Sequence, residues 1–138
     1  FQKFILNLGT FLISLQGYDW LKKNKNAVEF YVLLLSTLLG MYLMISARNF
    51  LMLYLGLELA TLPLTALAAF EKTEKRSAEA GIKMILNSVL SSAIFIFGLS
   101  ILYGISGSMN YSVTGGVMSN SPLLSLAFIF IFCFFVVV

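Results

Sequence analysis

Apolar residues in this chain fall into long blocks, at residues 4–18, 28–46, 49–70, 78–103 and 122–138, separated by short polar segments. A bilayer core of about 30 Å takes roughly 20 helical residues, so the second, third and fourth blocks each predict a helix that crosses a membrane. The first block is short for a full span and reads as the remaining part of a helix cut by a fragment boundary. The last starts at Pro122, a favourable first helical residue, and still runs where the sequence stops. The fold class this predicts is all-α, a polytopic transmembrane bundle forming one membrane domain over residues 1–138.

The third block, NFLMLYLGLELATLPLTALAAF, carries a carboxylate, Glu58, near its middle. A charge at the bilayer midplane costs about 2.5–3.5 kcal/mol on insertion scales, and each leucine returns about 0.3–0.6, so this leucine-rich segment still inserts. Pro63, five residues on, has no N–H to offer the carbonyl of Leu59 and frees polar backbone beside the carboxylate. Tyr54, Glu58, Thr61 and Thr65 recur at spacings of four, three and four, which gathers them on one helical face. An intramembrane carboxylate of this kind is expensive and mostly functional, the alternative being a protonated glutamate that serves packing specificity.

The segments between blocks set the orientation. Lys22, Lys23 and Lys25, beside an interfacial Trp20, follow the first block; Lys72, Lys75 and Arg76 follow the third. Even–odd counting places both groups on one side, cytoplasmic by the positive-inside rule, and the uncharged Gly-, Ser- and Asn-rich residues 104–121 on the other. The turn at residues 46–49 makes the second and third helices tight antiparallel neighbours. Asn26 is the expected N-cap of the second helix, with Glu29 close to a capping box; Ser77 is that of the fourth, with Glu79 in its first turn.

With 59% hydrophobic and 11% charged residues and a mean hydropathy of +0.94, the chain is too apolar for a soluble domain. The net charge of +3 is held in topology-setting loops, so no nucleic-acid partner is implied. One cysteine, Cys133, and no histidine leave no disulfide and no ligand set for haem, zinc or an iron–sulfur cluster. The start at Phe1 and the stop inside an apolar block suggest a piece of a longer protein.

On the fourth block Lys83, Asn87 and Ser91 repeat at spacings of four. Lys83 lies about 9 Å beyond the expected cap at 1.5 Å per residue, close enough to the interface for its ammonium to snorkel out. The alternative is a polar stripe in which Asn87 and Ser91 hold a file of water, while Ser88 and Ser92 could be small residues for close helix packing.

The run LGLELATLP at residues 55–63, with SAEAGIKMILNSVLSSAIFIFGLSILYG downstream, resembles the antiporter-like subunit N family (NADH dehydrogenase subunit 2 type) of respiratory complex I, the proton-pumping NADH:quinone oxidoreductase. The large subunits of multi-subunit cation/proton antiporters share a glutamate and a lysine on these helices and form the alternative. The resemblance implies part of an inverted-repeat fold in the bacterial inner membrane. Glu58 and Lys83 match the fifth-helix glutamate and sixth-helix lysine of a hydrophilic proton relay, with Tyr54, Thr61, Pro63, Thr65, Asn87 and Ser91 in support. It also implies other membrane-arm subunits and the lipid bilayer as partners. NADH, FMN, iron–sulfur clusters and quinone are expected in other subunits, not in this chain.

Overall fold

The computed structural model describes residues 1–22, 26–71, 73–112 and 122–137, in which five helices follow one another: α1 (Gln2–Leu21), α2 (Ala27–Ser46), α3 (Phe50–Ala68), α4 (Lys75–Ser106) and α5 (Pro122–Val137). Lys23, Lys25, Lys72, residues 113–121 of the expected exterior loop, Val138 and the side chain of Trp20 lie outside what is described. By length and composition α2, α3 and α4 can each cross a membrane, and the apolar part of α5, Pro122–Phe134, is shorter. Many large apolar side chains, among them Phe4, Leu35, Leu62, Leu86 and Phe132, point outward, as they do where the solvent is lipid.

The helix ends differ from the expected ones in ways that have local causes. Asn49 caps α3, its Oδ1 accepting from the N–H of Met52 at 2.7 Å. Asn26 holds the N-cap position of α2 but makes no side-chain cap bond. The fourth helix starts at Lys75 with Glu74 as N-cap, three residues before the expected start. Ser77 therefore does not cap α4; its hydroxyl donates to the carbonyl of Ala68 at 2.9 Å and satisfies an orphan acceptor at the end of α3. Glu79 accordingly lies beyond the first turn. At 32 residues α4 is about 48 Å long, more than the bilayer core needs, so it tilts or projects. Pro63 sits inside α3 without ending it.

Two close pairs build the bundle. α2 and α3 form an antiparallel hairpin whose backbones touch at Gly40 and Gly56. A methyl on Gly40 would overlap the backbone of Ala60, and one on Gly56 would stand 2.7 Å from the backbone nitrogen of Met44. Such small-residue contacts let membrane helices approach closely enough for dispersion to hold them. α4 and α5 pair through Phe95, Leu99 and Leu102 against Leu124, Ala127, Ile131 and Phe134, with Phe50, Leu53, Tyr54 and Leu57 of α3 laid against that cluster. α1 contacts α2 more lightly: Tyr42 donates to the Asn7 side chain, and Tyr31 to the Ser14 carbonyl at 3.5 Å.

The two ends of the bundle can be told apart. At one, the Phe30 and Phe70 rings meet edge to face at 5.7 Å, joining the start of α2 to the end of α3. At the other, the Phe50 N–H donates to the Met109 carbonyl at 3.1 Å, Asn49 and Asn110 form an antiparallel bridge, and Phe50 meets Tyr111 edge to face at 4.6 Å. Partial burial there pushes the Tyr111 phenol up from its ordinary range.

Candidate functional site

The polar face of α3 turns toward α4. Ser92 of α4 donates its hydroxyl to Oε1 of Glu58, and the Tyr54 phenol, one turn before Glu58, interacts with both groups. The Tyr54 ring stacks on Phe95, centroids 5.8 Å apart and planes within 15°, so its phenol is held by the apolar cluster behind it. Tyr54, Glu58, Thr65, Ser88 and Ser92 are the polar lining of a pocket of about 310 Å³ whose remaining walls are aliphatic. At about 30 Å³ per water molecule there is room for several. A second pocket of about 200 Å³ shares Thr65 and Ser88 with the first and is lined also by Thr61 and Asn87. Together they bring hydroxyl and amide groups to the α3–α4 seam, among aliphatic side chains that make up most of the lining.

The supporting residues are not equal. Thr65 is buried, and its hydroxyl turns back to the Leu62 carbonyl at 2.7 Å; Thr61 does the same to Glu58, at 3.4 Å. The expected stripe on α4 is split. Asn87 lines the second pocket, while Ser91 is fully buried and donates to the Asn87 carbonyl at 2.7 Å.

Lys83, expected as a buried partner in a relay, is exposed: it pairs with Glu79 one turn back at 2.5 Å, and the two side chains are 72% and 62% accessible. Nine residues separate it from Ser92, which at 3.6 per turn puts it about 13 Å away along the axis and about half a turn round. Lys83 therefore faces away from the Glu58 pocket. The α4 residues that meet Glu58 and Thr65 are Ser88 and Ser92, a pair whose spacing of four was the signal, open equally to a packing role. Among the described residues no cluster of histidine, cysteine or acidic groups gathers as metal ligands would.

These features define a class: an α-helical membrane protein with a hydroxyl-bound carboxylate inside the span. Residues 47–137 match the NADH:quinone oxidoreductase/Mrp antiporter transmembrane family, and the chain belongs to that family. It is 53% identical over 135 residues to NADH-quinone oxidoreductase subunit N of Azobacteroides pseudotrichonymphae, covering 96% of this chain and 28% of that relative. Subunit N of Phocaeicola vulgatus is 47% identical over 133 residues, covering 94% and 28%. The chain thus spans a little over a quarter of the length of these curated relatives. Its fold also matches respiratory complex I from Thermus thermophilus with bound aureothin, with a TM-score of 0.66 and 36% identity, over 75% of this chain and 23% of that one. The expected resemblance to subunit N is thereby met, and the chain is a multi-pass membrane segment of the all-α class.

Proposed function

We propose that this chain is part of a membrane subunit of a proton-translocating NADH:quinone oxidoreductase in the bacterial inner membrane, and that Glu58 takes up and releases protons within it. The observation that carries this reading is that Glu58 lies inside a spanning helix, on a pocket with Tyr54 and Ser92. Burial disfavours the charged form of a carboxyl group and an approaching ammonium favours it, so a cation that comes and goes can load and unload a proton. Thr61, Thr65, Ser88 and Asn87 offer hydroxyl and amide groups to a water file between Glu58 and the basic end. Lys83 is the second ionisable member in this reading; it faces away from the Glu58 pocket and pairs with Glu79, so it acts from the surface of α4 and not from the water file. Pro63 loosens the backbone next to the acid.

Moving one charge against 100 mV takes about 2.3 kcal/mol, which redox chemistry in other subunits must supply. NADH, FMN, iron–sulfur clusters and quinone belong to those subunits in this reading, and the partners are the neighbouring membrane-arm subunits and lipid. The second reading, a subunit of a cation/proton antiporter, is favoured by the scope of the family, which includes Mrp antiporters. The subunit N relatives favour the first.

Substitution of Glu58 in the full-length subunit tests the reading. Glu58→Gln keeps size and hydrogen bonding without ionising, and Glu58→Asp keeps an ionisable group on a shorter stem. Proton uptake by inverted vesicles, normalised to assembled complex, is expected to be nearly abolished by Gln and partly retained by Asp. Near-normal pumping by the Gln variant would sink the assignment.

A further inference from the structure

Hydroxyl groups on membrane helices ordinarily turn back to a carbonyl three or four residues earlier, because in lipid that acceptor is always at hand. Thr37 does so to Leu33 at 2.9 Å, Thr65 to Leu62 at 2.7 Å and Ser91 to Asn87 at 2.7 Å. Ser92, adjacent to Ser91, does not: its hydroxyl crosses the α3–α4 seam to Oε1 of Glu58. The two neighbours thus have opposite assignments, Ser91 sealed in the packing and Ser92 turned to the acid.

We propose that Ser92 is a positioning residue for Glu58, its hydroxyl holding the carboxyl group on the α4 wall of the pocket in both protonation states. The inference rests on the proton-carrying role proposed for Glu58. A serine hydroxyl has one hydrogen to donate and two lone pairs to accept with. When Glu58 is ionised, Ser92 donates to it. When Glu58 holds a proton, the carboxyl O–H donates to Ser92 Oγ, and the serine hydrogen swings to the carbonyl of Ser88 four residues back. The proton that Glu58 gains arrives from outside the pair and Ser92 keeps its own; the serine O–H bond rotates and the hydrogen bond reverses its direction. An ammonium in place of Ser92 could not accept, and a carboxylate could not donate, so a hydroxyl suits a site that must serve both forms. Tyr54, on the same α3 face, supplies a second group of the same kind.

The test uses the full-length subunit in the assembled complex. Subtracting the infrared spectrum of Glu58→Gln from that of the parent isolates the Glu58 carboxyl bands, which are sensitive to hydrogen bonding; the same subtraction in a Ser92→Ala background shows what the hydroxyl does to them. The bands are expected to shift in Ser92→Ala and to return in Ser92→Thr, which keeps a hydroxyl. Proton uptake per NADH oxidised should fall several-fold in the first variant and recover in the second. Unmoved bands in Ser92→Ala overturn the proposal. So do shifted bands with normal pumping in Ser92→Ala, where Glu58→Gln has lost pumping. Normal pumping in both Glu58→Gln and Ser92→Ala, with shifted bands, removes the proton-carrying role itself and leaves the hydrogen bond standing.

Discussion

At the scale of single residues, Glu58 and Lys83 differ in what surrounds them. Glu58 is engaged across a helix interface; Lys83 is engaged along its own helix, with Glu79. An exposed i,i+4 pair contributes about 0.3–0.5 kcal/mol, so removing Lys83 should leave the fold intact, and any loss of pumping reports on its chemistry. Lys83→Ala is expected to reduce proton uptake by inverted vesicles more than Lys83→Arg, which keeps the charge but gives up a proton far less readily. Equal, near-normal rates for the two would assign Lys83 to the interface alone. Glu58 and its face were readable in the sequence because four, three and four is a helical spacing inside one uninterrupted block. Ser92 was not, because α4 carries polar residues on two sides, Lys83–Asn87–Ser91 and Ser88–Ser92. Which side meets α3 depends on the rotation of α4, fixed by the Phe95, Leu99 and Leu102 cluster against α5.

At the scale of helices, each block of apolar residues became a helix, while the ends shifted by a few residues because caps depend on the neighbouring chain. Ser77 shows the difficulty: its type and position fit an N-cap, and only the nearness of the end of α3 makes the Ala68 carbonyl the better acceptor. Ser77→Ala should therefore cost about 0.5–1.5 kcal/mol through the lost hydrogen bond, read as a lowered melting temperature of the purified full-length subunit. Stable behaviour indistinguishable from the parent would place that bond among those the membrane interface can replace. The close approach of α2 and α3 at Gly40 and Gly56 makes a stronger claim. A methyl group at Gly40 meets backbone, which cannot rotate away, so Gly40→Ala should destabilise by about 1–3 kcal/mol, as overpacking does. Gly40→Leu should stop the subunit accumulating in membranes, measured by immunoblot. Normal accumulation of the leucine variant would mean the hairpin is held elsewhere.

At the scale of the whole molecule, the end contacts pair the helix ends as even–odd counting expects, and which side faces the cytoplasm follows from the charges alone. Phe30 meets Phe70 at the basic end, and Phe50 meets Met109 and Tyr111 at the other. Cysteines placed at Lys22 and Lys75 in a cysteine-free full-length subunit should react with impermeant maleimide only from the cytoplasmic side, and one at Ser112 only from outside. Labelling of Lys75 and Ser112 positions from the same side would require a different number of crossings.

The contacts between Phe50 and the segment after α4 have a mechanical consequence. They fasten the α2–α3 pair to the α4–α5 pair at the uncharged end, where the leucine and phenylalanine cluster also lies. At the other end the chain passes directly from α3 to α4, the Ser77 hydroxyl holds the Ala68 carbonyl and Gly81 lies against Ala69, with pockets on the seam in between. The seam is closed at both ends with room between them. Space beside Glu58 can then change only by the helices bowing or turning between two fastened ends.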